Sequence, residues 1–286
     1  MDTRFWLIQT FNGISYGALL FLVGSGLSLI FGVMRIVNLS HGSYFLLGGY
    51  VALTVIWTTG SWVLAIPLAA LAIGALGMAM ERVLLRPLGF DPLRQVLLTV
   101  GFAYLFQQAA LDIWTGNNFD IDPPALLRKS VQIGGIYLPL YRVFMIATAA
   151  VIGVALWLAM EKTRIGAMVR ATVDDAEMAR GVGIDTSRIS MMIFALGAFL
   201  AALGGVIGGA FLGIYPGLDF EMLPLAFAVV IIGGMGSLGG AAIGALLVGL
   251  ADNFGKALFP EVSYFTLYAP MALILAIKPT GLFGRE

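Results

Sequence analysis

The side chains of this 286-residue chain best suited to polar chemistry stand close together near its beginning. Arg35, Asn38, Ser40 and His41, the only histidine, interrupt a long apolar stretch, and Gly42 follows before the sequence turns apolar and glycine-rich again. A guanidinium, an amide, a hydroxyl and an imidazole in one short segment can bind a small polar solute or tie down a neighbouring segment. They are poorly arranged for catalysis, because no nucleophile or carboxylate stands at a spacing that would complete an acid–base set with His41. For His41 itself, a hydrogen bond to a neighbouring helix is expected ahead of direct contact with a solute. With no cysteine in the chain, thiol catalysis, disulfides and Cys-ligated zinc are excluded. No catalytic residue, cofactor or metal is expected.

The elements that must position these residues follow from composition. Hydrophobic residues make up 60% of the chain and charged residues only 11%, a balance that belongs to membrane proteins. Uncharged intervals run from Ile36 to Met80, Ile189 to Leu218 and Met222 to Ala251. Each exceeds the roughly 20 residues needed to cross about 30 Å of hydrocarbon as a helix. The runs lack the alternation of barrel strands. The fold class is therefore all-α, a polytopic transmembrane bundle of about eight or nine spans forming one domain over residues 1–286. Crossings are expected near 10–32, 43–58, 62–82, 95–114, 141–160 and 190–213, as a short pair at 223–235 and 238–258, and near 264–279. The first thirty residues lack a basic region with a small-residue cleavage site and read as a retained helix.

Basic residues orient the bundle. Arg35, then Arg82, Arg86 and Arg94, then Lys162, Arg164, Arg170, Arg180 and Arg188, then Lys278 and Arg285 occupy alternate loops and hold 11 of the 16 Lys and Arg. Those loops, and the C-terminus, are expected in the cytoplasm. Asp120, Asp122, Asp219, Glu221 and Glu261 then fall on the outer side. No basic run with interleaved aromatics suggests nucleic acid.

Small residues recur at four-residue spacing, as in Gly13 and Gly17, Gly204 and Gly208, and Gly205 and Gly209, which suits close helix packing within one bundle better than a dedicated dimer face. The run Gly233-Gly234-Met235-Gly236-Ser237-Leu238-Gly239-Gly240 is too glycine-rich for good helix. It is either a broken or re-entrant helix whose unwound backbone faces protein or water, or a plain hairpin turn between two short spans.

Ionisable groups are scarce in the helix centres, so coupling to a proton or sodium gradient has little to act on. Asp252 and Lys256 read as a surface pair near a helix end. No phosphate-binding loop is present either, so any ATP hydrolysis belongs to a separate subunit. The largest inner loop, about 161–188, mixes apolar residues with charges and suits an amphipathic helix lying on a partner. Within it stand Asp174, Asp175, Glu177, Ala179, Arg180 and Gly183. An ordinary solvated loop would have a similar composition.

The spacing Glu177-x-Ala179-x-x-x-Gly183 resembles the coupling motif of ATP-binding-cassette importer permeases, in which small residues let a short helix seat in a cleft of the ATPase and the glycine ends it. Asn38-Leu39-Ser40-His41-Gly42 followed by Leu47-Gly48-Gly49-Tyr50 is similar to the motif after the first helix of branched-chain amino acid permeases of the LivH type. The resemblance extends through Arg164-Ile165-Gly166, Gly183-Ile184-Asp185, the Gly233–Gly240 run and the closing Lys278-Pro279-Thr280-Gly281-Leu282-Phe283-Gly284. It implies a permease subunit of an importer in the bacterial inner membrane, paired with a homologous permease of the LivM type, two cytoplasmic ATPases that bind ATP and magnesium, and a periplasmic binding protein. The implied cargo is a small amphipathic solute, most readily a branched-chain amino acid, although family members also serve urea, amides and aromatic acids. Asn38, Ser40, His41 and Gly42 would then line or shape the translocation path. The alternative from another class is an ATP-independent channel or facilitator for a small polar solute. The long charged inner loop argues against it, since a passive pore needs no docking helix.

Overall fold

The computed structural model describes residues 3–89, 91–133, 135–278 and 280–284. Pro279 and Arg285 lie outside the described residues. Eleven α-helices account for most of the described residues: α1 (Thr3–Met34), α2 (His41–Thr59), α3 (Trp62–Met80), α4 (Pro92–Trp114), α5 (Leu140–Lys162), α6 (Arg164–Asp174), α7 (Ala176–Gly181), α8 (Thr186–Leu212), α9 (Leu218–Gly233), α10 (Leu238–Leu258) and α11 (Ser263–Ile277). α3 runs on through a π-helical turn and a 3-10 turn as far as Leu88. Among the described residues, six helical segments are long and apolar enough to cross a membrane, those built on α1, α3, α4, α5, α8 and α10. The helices α2, α9 and α11 coincide with three further expected spans but do not meet that measure.

The bundle is organised around α1, which packs on α10, α8, α9 and α5. Glycine sets these approaches. A Cβ on Gly26 would lie 2.6 Å from the Gly197 carbonyl oxygen of α8, and Gly13 and Gly17 lie against Leu250 and Ala245 of α10. The recurring small residues thus pack helices within this chain, where backbone contact and dispersion replace a hydrophobic driving force. Pairing of Gly26 with Gly197 and of Leu19 with Gly208 makes α8 antiparallel to α1. Pairing of Gly24 with Val229 and of Gly32 with Gly236 makes α9 parallel to it. Consequently the ends of α1 and α9, the α3–α4 corner and the 162–188 segment gather at one end of the bundle, and with them Arg35, Arg86 and Arg180.

At the opposite end, the 115–140 loop contains an element that its composition did not announce. Strands β1 (Ser130–Ile133) and β2 (Ile136–Pro139) form a two-stranded antiparallel hairpin, with Val131 opposite Leu138. Phe119 and Ile214 exchange backbone hydrogen bonds of 2.9 and 2.7 Å, which tie this loop to the segment leading into α9.

The Gly233–Gly240 run corrects the broken-helix reading. α9 and α10 are antiparallel, with Gly233 against Gly240 and Val229 against Gly244, so the run is the turn of a helical hairpin. Gly234 (φ 102°) and Gly236 (φ 82°) occupy the left-handed region, where a Cβ is costly. Ser237 caps α10 by accepting from the Gly240 N–H at 3.0 Å. The closing motif completes this turn. Leu282 and Phe283 donate backbone N–H groups to the carbonyls of Ile232 and Gly233, both at 3.0 Å, so two motifs far apart in the chain form one structural unit.

Candidate functional site

The chain reverses at the end of α1. Arg35 takes a left-handed conformation (φ 54°), rare for a residue with a Cβ, and its N–H donates to the Phe31 carbonyl at 2.8 Å. Residues 36–40 then run back beside α1. His41, the first residue of α2, donates from Nε2 to the Val23 carbonyl at 2.9 Å. Val23 stands about 16 Å back along α1 from Met34, at ~1.5 Å rise per residue. α2 therefore begins inside the bundle, level with the body of α1, rather than at its surface.

Asn38 builds that start. Its Oδ1 accepts from the Ser40 N–H at 3.1 Å and from the Ser40 hydroxyl at 2.7 Å, a side-chain turn that organises the first backbone groups of the helix. Leu39 donates its N–H to Thr99 Oγ1 of α4 at 3.2 Å. Tyr44, one turn on, donates its hydroxyl to Met80 Sδ of α3 at 2.9 Å. The segment is thereby tied to α1, α3 and α4. Asn38, Ser40 and His41 are all fully buried, and Gly42 is pressed against the Asp219 carbonyl with no room for a side chain.

Asp219 is the residue that sequence reading misplaced. Assigned to the outer side by its position between spans, it is 2% exposed at the start of α9 and accepts from the Ser43 hydroxyl at 3.0 Å. Its signal was present: a carboxylate that directly closes the uncharged interval Ile189–Leu218. Two half-length polar starts, those of α2 and α9, thus face each other through Ser43 and Asp219. Among the described residues, the buried side-chain polar atoms without a partner are Asn38 Nδ2, His41 Nδ1, Tyr50 Oη, Trp62 Nε1 and Asp219 Oδ1. All but Trp62 belong to this junction or to α2. Unspent donors and acceptors concentrated in one place mark it as the functional candidate within the bundle.

If the Asn38 turn holds the junction, Asn38→Ala leaves the Ser40 N–H without its acceptor and deprives the Ser40 hydroxyl of its shortest one. The expected loss is about 1–3 kcal/mol of stability, read as a lower Tm of the detergent-purified protein.

The other expected site lies at the basic end. The loop forms two helices, α6 and α7. Asp175 caps α7, its Oδ1 accepting from the N–H groups of Glu177 and Met178 at 2.9 Å each. Gly183 closes it in the left-handed region (φ 91°). Asp174 ends α6 at the surface, and Glu177 and Arg180 are exposed on α7. Ala179 is 3% exposed and packs into this chain rather than outward; the outward apolar side chains are Met178 and Val182, 66% and 72% exposed. Asp252 also departs from expectation. It is buried, and it accepts from Lys256 Nζ at 2.8 Å while the lysine reaches solvent.

Residues 9–275 match the family described as the permease component of the branched-chain amino acid transport system. The chain belongs to that family. The high-affinity branched-chain amino acid transport system permease protein LivH of Salmonella typhimurium is 30% identical to this permease, across 98% of the chain and 96% of LivH. The corresponding protein BraD of Pseudomonas aeruginosa is 29% identical over the same shares. LivM of Salmonella typhimurium, a second permease protein of such a system, is 27% identical across 91% of the chain and 67% of LivM. The permease is thus a multi-pass integral membrane protein.

Proposed function

We infer that this chain is a permease subunit of an ATP-binding-cassette importer that carries branched-chain amino acids inward across the bacterial inner membrane. The observation that carries the reading is α7: a capped, glycine-terminated helix at the basic end of the bundle that exposes Met178 and Val182 to no partner in its own chain. Apolar side chains held outward on a short rigid helix suit a protein cleft, and an ATPase is the partner an importer requires. The partners in this reading are a LivM-type permease, two cytoplasmic ATPases holding ATP and magnesium, and a periplasmic binding protein. In this reading α7 and the C-terminus lie in the cytoplasm, which the bias of basic residues supports, and α2, α9 and α11 enter the membrane beside the six longer spans.

The junction of α2 and α9 is the translocation element in this scheme. Asn38, Ser40, His41 and Gly42 shape one side and Asp219 the other, and their contacts are closed in this conformation. Alternating access would separate them. The unpartnered atoms of Asn38, His41 and Asp219 would then offer hydrogen bonds to a passing polar solute.

Reconstitution tests the whole reading. The complete set of subunits in proteoliposomes should accumulate leucine only when ATP and the binding protein are both supplied. Uptake by the permease alone, without ATPase subunits, would establish the facilitator instead.

A further inference from the structure

At the basic end of the bundle a cavity of about 190 Å³ opens between α7, the start of α8 and the corner that joins α3 to α4. Two arginines stand in its wall, and they differ. Arg86 is committed: its Nη2 pairs with Glu81 Oε2 at 2.9 Å and donates to the Ser187 carbonyl at 3.0 Å. Arg180 makes no ion pair or side-chain hydrogen bond among the described residues. The hydroxyls of Thr186, Ser187 and Ser190 line the same space and are likewise without a protein partner among the described residues.

Because Glu81 neutralises Arg86, the wall carries one uncompensated positive charge beside three free hydroxyl donors. That combination recognises an anionic oxygen group, for which charge-assisted bonds from a guanidinium are strong and directional. Val33 and Met34, both partly exposed, supply another part of the wall. A bare inorganic anion would leave these apolar groups facing water, whereas a carboxylate with an apolar body would cover them. The space amounts to about six water molecules at ~30 Å³ each, room for a molecule of amino-acid size and too little for a nucleotide.

We propose that this cavity is a binding site for a small amphipathic carboxylate, with the carboxylate on Arg180 and the α8 hydroxyls and the apolar body against Val33 and Met34. Its walls come from α1, α6, α7, α8 and the α3–α4 corner, so a bound molecule ties α7 to the rest of the bundle. Solute accumulated on the α7 side would thereby act on the permease without crossing it. This consequence rests on the coupling role given to α7 above; the binding site does not.

The test is ligand binding to the purified permease, with its partner subunits where they co-purify, using radiolabelled leucine, isocaproate and leucinamide and reading Tm in parallel. Leucine and isocaproate should bind saturably and raise Tm by about 3 °C or more at saturation, and leucinamide, which lacks the carboxylate, should not. Arg180→Gln should weaken binding by about tenfold or more, and Ser190→Leu, which fills the cavity, should abolish it. If Ser190→Leu fails to fold, Arg180→Gln alone carries the result, since its side chain is exposed and holds nothing in place. Absence of saturable binding up to about 10 mM, equal binding of leucinamide, or wild-type affinity in Arg180→Gln would each overturn the proposal. Transport need not be measured, so failure of the importer reading and failure of this one are distinguishable.

Discussion

Met178→Asp and Val182→Asp should each abolish ATP-driven uptake while the permease still folds and inserts. Both side chains are largely exposed, so their replacement removes little packing within this chain. Seated in a cleft of an ATPase, however, either aspartate would bury an unpaired charge where an apolar anchor had been. Truncating such an anchor costs about 2 kcal/mol or more, and an unpaired buried charge adds to it; each 1.4 kcal/mol is about tenfold in affinity. The measurement is co-purification of the ATPase together with ATP hydrolysis stimulated by loaded binding protein. Ala179→Leu is the contrasting case. Since Ala179 faces into its own chain, added volume there should lower the Tm of the isolated permease before it affects any partner. Wild-type coupling in both aspartate variants would show that α7 is not the contact.

The second large effect is expected at Gly205→Val, which should leave no folded permease to assay. Gly205 of α8 lies against the Phe45 carbonyl of α2 with no space for a Cβ, and a Cβ on Gly48 of α2 would lie 2.5 Å from Ala202 Cα of α8. Backbone meets backbone at this crossing, so neither helix can yield by moving a side chain. Overpacking of a rigid contact costs about 3 kcal/mol or more, a large part of the stability of a typical domain. Gly239→Val provides the control, because nothing in the structure lies within 4 Å of a Cβ there. Yield of monodisperse protein in detergent and its Tm distinguish the two. Equal behaviour of the variants would mean that the α2–α8 approach is looser than its geometry indicates.

These contrasts show where sequence reading reached and where it stopped. The helices were legible because a long apolar run in a membrane has few alternatives: each expected crossing overlaps a helix, although only six helical segments among the described residues are long and apolar enough to span. The short helix α7 could be read from an aspartate before it and a glycine after it, since caps are local chemistry. Ala179 and Met178 could not be assigned to inward and outward faces, because a single helical turn has too few residues to define a face by periodicity. The 130–139 hairpin was missed for a similar reason; four-residue strands in a loop carry almost no pattern of their own.

The glycine run was legible as a break in helix but not as a particular kind of break. Left-handed conformations at Gly234 and Gly236 are compatible with an unwound span or with a turn, and only the antiparallel approach of Gly233 to Gly240 and the seating of Leu282 and Phe283 on the α9 carbonyls decide for the turn. Asp219 shows the same limit. Position in the sequence put it in an outer loop, yet the segment before it folds inward and is held by the Phe119–Ile214 pairing, so the carboxylate meets Ser43 inside the bundle. What the sequence by itself determined is what short-range physics controls: the apolar lengths that make membrane helices, the charge bias, the caps, and the chemical oddity of Asn38, Ser40 and His41. Depth and partnership, by contrast, come from the fold. That α2 starts beside Val23, that Asp219 lies within reach of Ser43, and that Arg180 stands in the wall of a cavity depend on contacts between segments far apart in the chain, which local pattern does not encode.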